Sequence, residues 1–181
     1  MIELSHLEGD SRALLIPAYE ARGVESEADL REVWEQIAPV KSCYVSLKLS
    51  PEHLGITHLA ESLGFRFVEV QYETSLRLRE PTEQISLRYK YLQVQTSSEL
   101  NEVLEMASNA IVNDRISTDP LLGASHAGRR YRNYLSNSFS RSDEEIWCVR
   151  DTVDGSALTF RSHRRVNSRE ALLLLGGVRP D

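Results

Sequence analysis

Cysteine is scarce in this chain: Cys43 and Cys148 are the only two, far apart and set among strand-like neighbours. Two isolated thiols exclude a disulfide framework and a CxxC metal site, so a reducing cytoplasm is the expected compartment. Long apolar runs are missing too. No stretch approaches the roughly 20 apolar residues of a membrane helix, and Met1–His6 has neither the basic nor the apolar region of an export signal. No membrane partner is therefore expected. Lysine is rare beside arginine, and a net charge of -6 with an isoelectric point near 5.4 disfavours nucleic acid and anionic membranes as general partners. Neither GxSxG nor GxxxxGK[ST] occurs, which removes the nucleophile elbow and the P-loop.

What is present suffices for a core. A chain of 181 residues makes one ordinary domain or two small ones without covalent staples. Leu30, Val33, Trp34 and Ile37 share one face of a helix that Pro39 stops. Cys43, Val45, Leu47 and Leu49 then alternate as a strand, and Ser50-Pro51-Glu52 supplies an N-cap, an N1 proline and an early acid for a second helix. Ile56, Leu59, Ala60 and Leu63 form its apolar stripe and Gly64 its C-cap, before a long alternating strand from Val68 to Leu78. Strand, helix, strand in that order implies a parallel crossover.

The polar stretch Glu80-Pro81-Thr82-Glu83-Gln84 marks the expected domain junction, giving domains 1–80 and 81–181. Beyond it come a strand around Tyr91–Gln95 and a helix opened by Ser97-Ser98-Glu99 with Leu100, Val103, Leu104, Ala107, Ala110 and Ile111 at helical spacing. Ala127, Tyr131, Leu135 and Phe139 mark another helix, and Ile146–Arg150 with Ala157–Arg161 a hairpin around Asp154-Gly155. The apolar run Ala171–Leu175 reads as a central strand covered on both faces, followed by Gly176-Gly177-Val178-Arg179-Pro180. The fold class is α/β.

The order strand, two helices, hairpin, apolar strand resembles the first half of the GNAT acyltransferase fold, a mixed sheet flanked by helices. Asp114-Arg115-Ile116-Ser117-Thr118-Asp119-Pro120, with Ala127, Tyr131 and Asn137-Ser138, is similar to the segment between the first two helices of TDP-fucosamine acetyltransferase-like members. His6-Leu-Glu-Gly-Asp-Ser11 and Leu63-Gly-Phe-Arg-Phe-Val68 are similar to the domain that precedes it there. The resemblance implies direct transfer of an acetyl group from acetyl-CoA, as co-substrate, to a primary amine of a small molecule, an amino sugar or nucleotide-sugar among the options. It carries the contacts to pantetheine and thioester onto Gly176, Gly177 and Val178, and implies no metal. It also implies that the chain stops before the pyrophosphate loop, so that it binds acetyl-CoA weakly and is inactive alone. An exposed last strand would then recruit a second copy as a homodimer. The alternative is a non-catalytic GNAT-like binding or scaffold module.

Several side chains suit substrate contacts or plainer duties. Asp114 and Asp119 can position an amine, or serve as caps and turn formers. Arg129, Arg130 and Arg132 can face phosphates or form a solvated face, and Arg161, Arg164 and Arg165 make a second basic cluster. His163 can act as a base at a strand end, or be structural. His53 and His58 fall roughly 140 degrees apart on a helix, which rules out a shared metal. The catalytic acid and base are left unassigned.

Overall fold

A computed structural model describes residues 2–69, 88–111 and 114–180. It is mixed α/β, as expected, and divides into two compact units, Met1–Glu69 and Val70–Asp181. The polar junction expected at Glu80–Gln84 and most of the strand expected from Val68 to Leu78 lie outside the described residues.

The first unit runs β1 (Glu3–His6), α1 (Glu8–Leu14), β2 (Ala18–Arg22), α2 (Glu27–Ile37), β3 (Tyr44–Leu47) and α3 (Leu54–Ser62). Its sheet has the order β1-β2-β3, with β1 antiparallel and β3 parallel to β2. A parallel crossover thus runs through α2, which the sequence pattern does not anticipate, while the one expected through α3 leads into residues outside those described. The apolar spacing of α2 is the reason it packs. Leu30, Val33 and Ile37 are buried with Ala21, Val24, Ile56 and Ala60, and the Trp34 and Phe65 rings meet edge-on at 6.2 Å. Ser26 caps α2 by accepting from the Asp29 N–H at 3.2 Å. By contrast, Ser50 and Pro51 form a turn closed by His53 N–H to the Ser50 carbonyl, and α3 begins three residues later than the proline suggests.

The second unit runs β4 (Tyr89–Gln93), α4 (Ser97–Ala110), α5 (Ala124–Phe139), β5 (Glu144–Asp151), β6 (Ala157–Asn167) and β7 (Glu170–Val178). Its four strands pair in sequence order and are antiparallel throughout, so the mixed pairing belongs to the first unit. Thr96 and Glu99 form a capping box at the start of α4, each side chain satisfying the other's backbone N–H. Gly128 lets α5 approach α4, because a Cβ there would lie 3.3 Å from the Ser108 carbonyl. Among the described strands β7 is an edge, with Ala171, Leu172 and Leu173 exposed. The expectation of a strand covered on both faces is thus corrected: four leucines in a row alternate between faces, and among the described residues helices meet only one face of this sheet. No helix among the described residues is long and apolar enough to cross a membrane.

Leu30 is fully buried in the first core. Leu30→Ala is expected to cost about 2–5 kcal/mol, read as a lower urea midpoint with an unchanged slope.

Candidate functional site

Strand periodicity divides the second sheet into two chemically different faces. Ile146, Cys148, Phe160 and Ser162 are all buried, and α4 and α5 contact β5, β6 and β7. Tyr91, Trp147, Val149, Thr159 and Arg161 belong to the opposite face, where the register aligns Tyr91 with Val149, Trp147 with Arg161, and Arg161 with Gly176. They line an open groove of about 320 Å³, completed by Gly176, Gly177 and Val178.

The two glycines serve different purposes. A Cβ on Gly177 would stand 2.8 Å from Phe160 Cε1 and 3.1 Å from Ala110 Cβ, so the missing side chain is what lets α4 and the Phe160 ring close over β7. That packing reason holds without any ligand. A Cβ on Gly176 would lie 3.3 Å from the Phe160 carbonyl, and this glycine adjoins Arg161 on the groove side. Thr159 Oγ1 donates to the Gly177 carbonyl at 2.8 Å, which ties the groove wall to β6. Between Ser162 and His163 the β6–β7 register shifts, leaving Leu174 as the extra residue of a bulge.

Two carboxylates that the sequence pattern does not single out organise this sheet. Glu144 is buried; Ser138 donates to one oxygen at 2.5 Å, and the other accepts from Arg164 at 2.6 Å and pairs with Arg141 at 2.9 Å. Glu145, one residue on, belongs to the open face. It accepts from the Trp147 indole N–H at 3.0 Å, pairs with Arg165 at 2.8 Å, and lies 3.4 Å from His163 Nε2. Adjacent acids after a helix read as exposed turn residues, and only cross-strand register reveals their partners.

The remaining candidates fall elsewhere. Asp114 accepts from the Ser117 N–H at 2.8 Å and from the Tyr131 hydroxyl, which anchors the α4–α5 connection to α5. Burial raises its pKa, but the hydrogen bonds from Ser117 and Tyr131 outweigh burial and hold the carboxyl below its ordinary range. Burial and the same contact push the Tyr131 phenol up. Asp119 accepts from the Leu121 N–H at 2.8 Å and opens the turn before α5. Arg130 lies over the Tyr131 ring at 5.6 Å. Asp114 and Arg130 thus meet around Tyr131, while His163 belongs to the Glu145 cluster. Cys148 is buried and its thiol pKa is raised by that burial, unlike an activated nucleophile. Of the two histidines expected on one helix, His58 faces Glu61 at 3.4 Å, whereas His53 is the N-cap of α3 and its Nδ1 is buried without a hydrogen-bond partner among the described residues. No cluster of metal-ligating side chains occurs among the described residues. Neither protein-family models nor curated proteins match this chain.

Gly177→Ala is expected to destabilise the second unit by about 1–3 kcal/mol through overpacking against a buried ring, measured by urea denaturation. Because the Asp114 carboxyl is lowered in the fold, its stabilisation is present above the unfolded carboxylate range near pH 4 and fades as pH falls through the folded value. Asp114→Asn should cost about 1.5–3 kcal/mol at neutral pH, and its deficit relative to the parent chain should shrink in acid.

Proposed function

We propose that the second unit is the acyl-donor half of a GNAT-type N-acyltransferase, moving an acetyl group from acetyl-CoA to a primary amine, an amino sugar or nucleotide-sugar among the acceptors. The observation that carries this reading is the groove walled by Gly176, Gly177 and Val178 on the face opposite α4 and α5, in a sheet built in the order β4-α4-α5-β5-β6-β7. The element order is the one that the sequence resemblance implies.

The chemistry fits an edge strand. Every second N–H and C=O of such a strand points away from its neighbour, and an amide-bearing pantetheine arm can pair with them as an added strand would. The absence of a side chain at Gly176 keeps that approach open. In the transfer, the lone pair of the neutral amine attacks the thioester carbonyl, the C–N bond forms, the C–S bond breaks, and the nitrogen gives up one proton while the leaving thiolate takes one up, leaving an amide and a free thiol. Tyr91, Trp147 and Val149 offer the apolar lining that an acyl chain and its arm require.

A binding or scaffold module is the second reading. It is favoured by Asp114 and Asp119, whose carboxylates are engaged in loop-forming hydrogen bonds. Trp147 supplies the test, since Trp34, in the first unit, is the only other tryptophan. In a Trp34→Phe background, acetyl-CoA and uncharged acetyl-pantetheine should each change indole emission saturably, and Gly176→Val should abolish both responses. Unchanged emission at millimolar concentrations of both would sink the donor-site reading. Amine-dependent thiol release separates the enzyme from the module.

A further inference from the structure

Arginines in the second sheet are almost all matched to acids. Arg150 pairs with Glu102 at 2.5 Å, Arg164 with Glu144 at 2.6 Å and Arg165 with Glu145 at 2.8 Å. Arg161 is the exception on β5 and β6: it is exposed, lines the groove, and has no acidic partner among the described residues. In a chain with six more negative than positive charges, a cation left unmatched inside an aromatic and aliphatic groove is the feature that calls for a ligand.

Its position narrows the ligand. Arg161 is aligned with Trp147 on one side and Gly176 on the other, so it sits where the wall of the groove offers its glycine backbone. The thioester end of an acyl donor is uncharged, and the phosphates of coenzyme A lie at the far end of the pantetheine arm. An anion opposite Arg161 therefore has to come from the other substrate. Glu145, a carboxylate on this face, is already engaged by Arg165, Trp147 and His163. Local repulsion of an incoming anion is correspondingly reduced.

We infer that Arg161 is a specificity residue that holds a carboxylate or phosphate of the acceptor, so that the acceptor is an acid-bearing amine. This rests on the donor-groove reading above and names its substrate class. A guanidinium fork binds either anion with two parallel hydrogen bonds, while the Trp147 and Tyr91 rings flank the body of the molecule. Anchoring the anion at Arg161 holds the amine beside the Gly176 wall, which is the orientation the transfer needs.

Two matched pairs of probes test it by two-dimensional NMR of the Trp147 indole N–H: glucosamine 6-phosphate against glucosamine for phosphate, and β-alanine against ethylamine for carboxylate. The acidic member of at least one pair should bind saturably and about tenfold more tightly than its neutral-tailed control. Arg161→Gln should remove that advantage and Arg161→Lys should keep part of it. Because Arg161 is exposed and makes no ion pair among the described residues, both variants should retain the parent melting temperature and spectrum. Equal binding within both pairs, or an advantage that survives Arg161→Gln, overturns the inference. Acetyl-pantetheine carries no charge and serves as the independent control. If it fails while the acidic probes succeed, the donor reading falls and the Arg161 anion site stands; the reverse outcome leaves the donor groove and removes the anion site.

Discussion

Everything in the second unit hangs on the closeness with which α4 lies against β6 and β7. The last turn of α4 brings Ala110, and β6 brings the buried Phe160 ring, into the volume that a side chain on Gly177 would occupy. A methyl group there would stand 2.8 Å from the ring, well inside van der Waals contact, so a well-packed interior would have to deform to admit it. That contact sets one face of the sheet as core. The alternation of a pleated strand then commits Tyr91, Trp147, Val149, Arg161 and Gly176 to the other face, where the groove forms.

Around this seat, charge is neutralised in layers. Glu144 is satisfied by a hydroxyl and two guanidinium groups, which offsets the cost of taking a carboxylate out of water. Arg150 and Glu102 tie β5 to α4, and Glu102 also accepts from the Ala157 N–H at 3.2 Å, so one acid braces both the helix and the hairpin. Asp114 and Tyr131 do the same for the α4–α5 connection. With these acids spent on structure, Arg161, unmatched among the described residues, is conspicuous, and the groove it lines gains both an apolar lining and a fixed charge.

The residues that resemblance singles out divide by function in a physically intelligible way. Gly176, Gly177 and Val178 do share the groove, yet Gly177 has a packing duty that would retain it in the absence of any ligand. Asp114 and Asp119 sit in the connection between helices and hold it through backbone N–H groups, a task for which short acidic side chains are suited. His163 keeps company with Glu145, an acid adjacent to it only across the sheet.

Local pattern alone determines much of this chain. The helical spacing of Leu30, Val33 and Ile37, the alternation through β5 and β6, the hairpin around Asp154-Gly155 and the Glu99 of the capping box are written into neighbouring residues, because 3.6- and 2-residue periods depend only on which side chains must leave water. The short elements β1, α1 and β2 lack enough periods to be read, and β2 carries a buried Glu20 held by Arg22 and Lys48. A run such as Leu172–Leu175 is silent about its surroundings, since a continuous apolar strand looks the same at the centre of a sheet and at its edge. Its place as an edge among the described strands, the bulge at Leu174, the partners of Glu144 and Glu145, and the groove position of Arg161 come from pairings between strands distant in sequence. Those pairings depend on register, and register is fixed only when the whole sheet closes on its helices.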